Sequence, residues 1–201
     1  MAFDIEQFKS NGPRFGGARP TTFEVIITGW PGSTSDAEQQ LRFMCKATQI
    51  PPSVIGQVEV PYFGRRIKVI GDRQYANWNI TIINDEDYAI RRALETWHQN
   101  MNMHIENAMI DVEPAPITYK RDAVIRHYSR DGGTIIQVYT VKGMFPVQID
   151  AMPLDWEAID QITMFDVEFS LDYWLPVNDT GRNEVSSFPE GARNTAASFS
   201  V

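Results

Sequence analysis

The chain has 201 residues, of which 43% are hydrophobic, so it can bury one sizeable core and needs no second domain. Its net charge of −8 disfavours a protein that grips the nucleic-acid backbone, because such proteins present excess Lys and Arg to phosphate. The single cysteine, Cys45, cannot form an internal disulfide or a zinc cage, and we expect it to be a small buried side chain on a strand.

The first segment, residues 1–21, is predicted to be an irregular N-terminal arm. Its GPRFGGARP stretch has too few periodic apolar residues to pack on itself. The N-terminus also lacks the basic flank and apolar run of a secretory signal, and no stretch approaches the roughly 20 apolar residues that a membrane span needs. We therefore expect a soluble protein that is made in a cytoplasm and does not enter a membrane.

Four β-rich runs follow the arm, and Gly or Pro residues separate them. FEVIITGW and LRFMCKATQI are predicted strands, with at most a short helical turn in STSDAEQQ between them. SVIGQVEV and RIKVIG are predicted strands on either side of an extended, exposed loop with the sequence PYFGR.

A strand changes into a helix near residue 84. Ile80 and Ile82 alternate with polar residues, as on a half-buried strand. Asn84 is then a suitable N-cap, and the acids at positions 85–87 fit the first turn of a helix, where the dipole favours negative charge. We predict one amphipathic helix over about residues 85–102. Its apolar face, which would anchor the helix on the sheet, contains Leu94, Trp97 and Met101.

The remaining strands are predicted from a hairpin and one alternating run. AVIRHYSRDGGTIIQVYTVKG contains Asp131, Gly132 and Gly133, which tolerate positive φ between two β-rich segments. TMFDVEFSLDYW alternates apolar and polar residues without a slip. The small and polar residues of 175–201 predict a C-terminal tail that is mobile or ordered only by a neighbour.

These elements define a mainly β fold. We count about seven or eight strands and one helix on a single core over residues 22–174. The pattern predicts an antiparallel β-sandwich or small barrel with one packed α-helix.

No catalytic or ligand-binding motif stands out in the sequence. His98, His104 and His127 have no metal-binding spacing, and the predicted helix start already explains the acids at 85–87. The aspartic-protease triplet at residues 179–181 lies in the polar tail rather than between buried strands. Nucleotide-binding glycine motifs and nucleophile elbows are absent. We therefore predict no enzyme activity, no cofactor and no metal, and a function carried by surfaces and strand edges.

Three stretches in sequence order resemble one known family. They are VEVPYFGRRIKVIGDRQYANWNITIINDEDYAIRRALETWHQNMN, YTVKGMFPVQIDAMPLDW and ITMFDVEFSLDYW. Together they resemble the tail tube proteins of contractile-tailed bacteriophages over about residues 22–174. The most specific pieces are the strand-to-helix junction at 84–87, the Gly143-Phe145-Pro146 step before Asp155-Trp156, and the closing Asp172-Tyr173-Trp174.

This resemblance implies a structural subunit of a virion. In the family, hexameric rings stack into a hollow tube inside a contractile sheath, and DNA and the tape-measure protein pass through it. The implied partners are further copies of the chain as a homo-oligomer, the tail sheath protein, and the baseplate and tape-measure proteins. DNA would cross the lumen without specific binding. The subunits are expected to join edge to edge into one ring-shaped β-barrel, in the phage tail after assembly in the host cytoplasm.

Three sets of residues receive hypothetical roles. The predicted loop resembles the region that reaches the adjacent ring, and it comprises Pro61, Tyr62, Phe63, Gly64, Arg65 and Arg66. The polar face of the last strand is predicted to line the lumen, where negative charge would prevent DNA from sticking, through Asp166, Glu168 and Asp172. The N-terminal arm is expected to lie on a neighbouring subunit through Phe3, Phe8 and Phe15.

Several alternatives stay open at this point. The loop could be an ordinary exposed hairpin, and the acidic face could simply be solvated. The chain could also be a baseplate protein of the same fold that initiates or terminates the tube. A further alternative is the inner tube of a phage-like contractile injection or secretion system.

Overall fold

A computed structural model describes Ile5 and residues 17–32, 34–108 and 116–177 of the chain. The strands in this part are β1 (Phe23–Ile27), β2 (Cys45–Thr48), β3 (Ser53–Tyr62), β4 (Arg65–Tyr75), β5 (Trp78–Ile83), β6 (Arg121–Tyr128), β7 (Ile135–Ile149), β8 (Met164–Ser170) and β9 (Tyr173–Val177). The helices are α1 (Ser35–Met44), α2 (Ala89–Met101) and the short α3 (Pro116–Tyr119). None of these helices is long and apolar enough to span a membrane.

The long strand β7 belongs to two antiparallel sheets. Its first half pairs with β6 on one side and β9 on the other, and β1 extends this sheet beyond β6. Its second half pairs with β8, which is followed by β5 and then β2. Gly143 has a φ of 65° between the two halves, and a register shift follows between Pro146 and Gln148. The predicted mainly antiparallel β fold is therefore confirmed.

One apolar core lies between the sheets and the helices. Strands β5 and β8 contribute one row of buried side chains because alternate residues point to the same face. The buried residues of these two strands are Trp78, Ile80, Ile82, Phe165, Val167 and Phe169. Helix α2 buries Ile90, Ala93, Leu94 and Trp97 in the same cluster. Cys45, the first residue of β2, is also buried, as predicted.

The helix α2 begins at Ala89, so the predicted start near residue 85 is wrong. Tyr88 precedes it with a φ of 54° and supplies no side-chain cap, and the first turn contains no acid. Asp85 and Asp87 instead accept hydrogen bonds from the backbone N–H groups of Glu86 (2.9 Å) and Ala89 (3.0 Å). Short acidic side chains that bond the nearby backbone compete with helix formation, so the chain turns here before the helix starts.

The prediction of a single helix is also wrong. Helix α1 occupies the predicted turn and the first half of the predicted strand LRFMCKATQI, so that only Cys45–Thr48 is extended. Thr34 caps α1 by accepting a hydrogen bond from the Ala37 N–H at 3.2 Å. Ala37 and Leu41 lie one turn apart and are both buried, since the helix packs against β1 and α2.

For the C-terminal strands, the predicted hairpin is confirmed and the predicted length of the last strand is wrong. Strands β6 and β7 form the predicted hairpin, with Gly132 at a φ of 72° in its turn. The unbroken alternation predicted up to Trp174 is wrong, because β8 ends at Ser170 and a bend precedes β9. Strand β9 continues to Val177, so the predicted start of the tail at residue 175 falls inside a strand. The later tail residues, 178–201, lie outside the described residues.

Candidate assembly surfaces

The face of β5 and β8 that points away from the apolar core is polar and acidic. Asp166 is paired in register with Thr81, and Glu168 with Asn79. Asn77 Nδ2 also donates a hydrogen bond of 2.7 Å to Glu168 Oε1. The face forms a shallow concavity of about 360 Å³, and no Lys or Arg belongs to its lining. The residues that line it are Ala47, Thr48, Gln49, Asn79, Thr81, Asp150, Asp166 and Glu168.

Asp172 does not belong to this acidic face. It follows the end of β8, and its carboxylate forms an ion pair with Lys120, with Oδ1 at 2.6 Å from Nζ. It also stands directly beside Gly143 at the point where β7 changes sheets. The prediction that Asp172 shares one strand face with Asp166 and Glu168 is therefore wrong.

The sheet that carries the acidic face has unpaired strand edges. Within the described residues, β2 pairs only with β5, and the second half of β7 pairs only with β8. Strands β1 and β9 are the corresponding edges of the other sheet, because each pairs with one strand of the described chain. Unpaired edges expose N–H and C=O groups that can pair with a strand of another chain.

Strands β3 and β4 form a hairpin that pairs with no other strand of the described chain. The predicted extended loop is wrong, because Pro61 and Tyr62 end β3 and Arg65 and Arg66 begin β4. Only Phe63 and Gly64 lie between the strands, with φ values of 41° and 77°. Two successive residues with positive φ are typical of a type I′ turn, whose twist suits a tight hairpin.

The hairpin is amphipathic, although both of its faces are exposed. Val58 is paired with Val69 and Val60 with Ile67, so these four side chains share one face. Each of them is between 45% and 52% exposed. The opposite face carries the pair Glu59 and Lys68, and residues 57–70 are all exposed. Because an isolated two-stranded hairpin is marginally stable in water, this apolar face indicates a partner.

A second exposed apolar surface lies in the β7–β8 connection, residues 150–163. Trp156 is fully exposed at 102%. Leu154, Ile159 and Ile162 are each more than 60% exposed. Sequence reasoning did not single out this surface. The available signal was a run of acids and large apolar residues that contains no Lys or Arg.

The predicted helix anchors lie on the inner face of α2. Leu94 and Trp97 are almost fully buried, and Met101 is partly buried against the core. The Trp97 ring lies 5.9 Å from that of Trp30 and 6.2 Å from that of Phe169. Its Nε1 donates a hydrogen bond of 2.9 Å to the Tyr119 carbonyl oxygen. These contacts hold α2 on the core.

Burial shifts the pKa of two partly or fully buried groups. Burial raises the pKa of the Cys45 thiol to about 12 and lowers the pKa of His98, which a hydrogen bond with the Pro146 backbone partly offsets. No group of three or more His, Cys, Asp or Glu among the described residues could hold a metal ion. The arm residues Phe3, Phe8 and Phe15 lie outside the described residues.

The fold and these surfaces define a class of protein. A β-sandwich with unpaired edges, an acidic sheet face and an exposed amphipathic hairpin is suited to assembly with other chains through its surfaces.

Comparison with known proteins identifies the family. The model of the phage tail tube protein family matches residues 18–176. The tail tube protein of Enterobacteria phage T4 is 34% identical over 157 residues, which cover 78% of this chain and 90% of that protein. The tail tube protein of Serratia phage KSP90 is 25% identical over 180 residues, or 89% of this chain and 98% of that protein. The chain belongs to the phage tail tube protein family.

Solved structures have the same fold. The chain matches a protein in the sheath–tube complex of an extracellular contractile injection system with a TM-score of 0.55 and 14% identity, covering 88% of this chain and 99% of that one. It matches the tube-terminating cap of the anti-feeding prophage with a TM-score of 0.59 and 13% identity, covering 81% of this chain and 91% of that one.

Proposed function

We propose that the chain is the repeating subunit of a phage tail tube, in which hexameric rings stack into a hollow conduit inside a contractile sheath. The observation that carries this proposal is the 34% identity to a phage tail tube protein over 90% of that protein's length. The role is structural rather than catalytic. The subunit is made in the host cytoplasm and functions in the virion, where it contacts sheath, baseplate and tape-measure proteins.

Ring closure uses the unpaired edges of the acidic sheet. The edge of β2 in one subunit pairs with the second half of β7 in the next, which joins the individual sheets into one barrel without edges. The exposed strand edges of the single subunit support this arrangement, because their backbone groups lack partners within the described chain. In this arrangement helix α2 covers the outer side of the sheet.

The acidic face of β5 and β8 lines the lumen. Asp166 and Glu168 lie there without a cation in the lining, and the opposite face of the same strands is the apolar core. Six subunits at −8 each would carry about −48 in total. A wall of this sign repels the phosphate backbone, so DNA passes quickly and does not bind.

Contacts between rings use the hairpin and the N-terminal arm. The hairpin tip, with Tyr62 and Phe63 61% and 91% exposed, reaches the adjacent ring. Residues 1–21 lie on a neighbouring subunit. The exposure of nearly the whole hairpin supports its part in this proposal.

The experiment that tests the function is negative-stain electron microscopy of purified recombinant protein, with the mass measured by light scattering. Six-fold rings or hollow tubes are the expected result. If the protein stays monomeric, its copy number in purified phage particles decides the question. An abundant subunit fits a tube assembled on a template, whereas a single ring per particle would identify a baseplate component and contradict the proposal.

A further inference from the structure

We propose that the β3–β4 hairpin of one subunit binds the β7–β8 connection of a second copy of the chain. This inference rests on the proposed function and names the surface that receives the hairpin. The hairpin supplies an apolar face that also carries the unpaired cation Arg65, and the connection supplies exposed apolar side chains and acids. The two surfaces therefore match in both hydrophobicity and charge.

The hairpin has an apolar stripe that the described residues of its own subunit do not cover. Val58, Val60, Ile67 and Val69 stay about half exposed, although they form a continuous apolar stripe. The strand β3 has ten residues, which at about 3.4 Å per residue gives a reach of roughly 34 Å. A hairpin of this length, with residues 57–70 all exposed, presents its stripe to another chain rather than to its own core.

The charge of the hairpin differs from that of the rest of the chain. Strand β4 contains Arg65, Arg66, Lys68 and Arg73, whereas the acids of the hairpin are Glu59 and Asp72. Glu59 forms an ion pair with Arg66 at 3.0 Å. Arg65 alternates with Ile67 and Val69, so it lies on the face of the apolar stripe, and it forms no ion pair with any described residue. The hairpin is therefore a local basic surface on a chain with a net charge of −8.

The β7–β8 connection is complementary to this surface. It contains Asp150, Asp155, Glu157 and Asp160, and no Lys or Arg. Glu157 and Asp160 are exposed and form no ion pair within the described chain. The same segment exposes Leu154, Trp156, Ile159 and Ile162.

The other acidic surface does not fit the hairpin equally well. The concavity around Asp166 and Glu168 is lined by small and polar residues and by no large apolar side chain. It could attract the cations of the hairpin but could not cover the stripe of Val58, Val60, Ile67 and Val69. Among the described residues, the β7–β8 connection is the segment that combines unpaired acids with several large exposed apolar side chains.

Charge reversal on each of the two surfaces, and then on both surfaces together, tests the pairing. We expect Arg65→Glu and, separately, Glu157→Lys/Asp160→Lys to raise the critical concentration for tube formation about tenfold or more, because like charges then face each other. Combining all three substitutions should restore it to within about threefold of the wild type. Arg130→Glu, at an exposed site in the β6–β7 turn, changes the net charge as much as the hairpin variant does and should assemble normally.

Disulfide trapping gives a readout that does not require tubes. Val60→Cys protein mixed with Ile159→Cys protein should form a cross-linked heterodimer faster than Val60→Cys mixed with Phe43→Cys, an equally accessible site on α1. The native Cys45 does not interfere, because it is buried and holds its proton.

The possible outcomes separate the two proposals. The pairing would be overturned if both reversal variants form normal tubes, or if the combined variant assembles no better than they do. Either result would leave the tube function intact. If the wild-type protein forms no tubes, preferred trapping at Ile159→Cys still supports the pairing. Equal trapping at Phe43→Cys overturns it.

Discussion

Gly143 permits β7 to pass from one sheet to the other, so Gly143→Ala should destabilise the subunit. The residue has a φ of 65°, and a Cβ at this position would collide with the Asp172 carboxylate and lie 3.2 Å from the Asp172 Cβ. Two costs follow. A residue with a Cβ in the left-handed region costs about 1–2 kcal/mol. Moving the Asp172 carboxylate away also breaks its ion pair with Lys120, which is worth roughly 0–1 kcal/mol because both side chains are partly exposed.

The free energy of unfolding should therefore fall by about 2 kcal/mol, and Tm by roughly 4–8 °C for a chain of this size. Urea titration of the isolated subunit, followed by tryptophan fluorescence, measures the change. Repeating the substitution in an Asp172→Gly background removes the whole Asp172 side chain and with it the collision, so only the backbone strain of about 1–2 kcal/mol should remain. Gly133→Ala is the matched control, since its φ is not positive and the nearest atom lies 3.9 Å away.

A loss smaller than about 0.5 kcal/mol on Gly143→Ala would refute the argument from backbone conformation. An equal loss in the wild-type and Asp172→Gly backgrounds would show that the Asp172 side chain contributes nothing to the cost.

Three further predictions concern the core, the pH dependence and the lumen. Trp97→Ala should lower the free energy of unfolding in denaturant by about 3–5 kcal/mol, because it removes a fully buried ring. Trp97→Phe should lower it much less. A small loss for Trp97→Ala would contradict the anchoring role. Burial lowers the pKa of His98, so the folded state prefers neutral imidazole. The stabilising contribution of neutral His98 should be complete above the ordinary histidine pKa of about 6.5 and be lost as the pH falls through the lowered pKa. In a pH titration, Tm should therefore fall less at acidic pH in His98→Gln than in the wild type. Asp166→Lys/Glu168→Lys should slow DNA ejection from assembled particles, because cations in the lumen would bind phosphate. Unchanged ejection kinetics would contradict a lumenal position of these two acids. Equal slowing by Glu106→Lys, a control at another exposed site, would also contradict it.

Local periodicity predicted those parts of the fold in which one face of an element is buried along its whole length. The alternation of Ile80 and Ile82 located β5, and the helical spacing of Leu94 and Trp97 located α2. The Gly132 turn likewise located the β6–β7 hairpin. These features depend on residues close together in the sequence, so a short window contains the signal.

The errors arose where a local pattern has two physical solutions. Asp85 and Asp87 suit either the first turn of a helix or a bonded turn before it, and here they bond the backbone of the turn. The stretch from Leu41 to Met44 is apolar enough for a strand or a helix, and the Thr34 cap together with packing on α2 makes it helical. The alternation through Ser170 predicted that Asp172 shares a face with Asp166, but the bend after Ser170 turns it toward Lys120.

By itself, the sequence determined a mainly β chain with an amphipathic helix, no catalytic motif, and a resemblance to phage tail tube proteins. Only the tertiary structure decided that β7 bridges two sheets, that β2 ends one of them, and that no other strand of the described residues pairs with the β3–β4 hairpin. It also brought the acids of β8 beside Asn79 and Thr81 on a face without cations in its lining. The physical reason is that strand pairing and exposure are set by contacts between residues far apart in the chain, which the period of a single segment does not record.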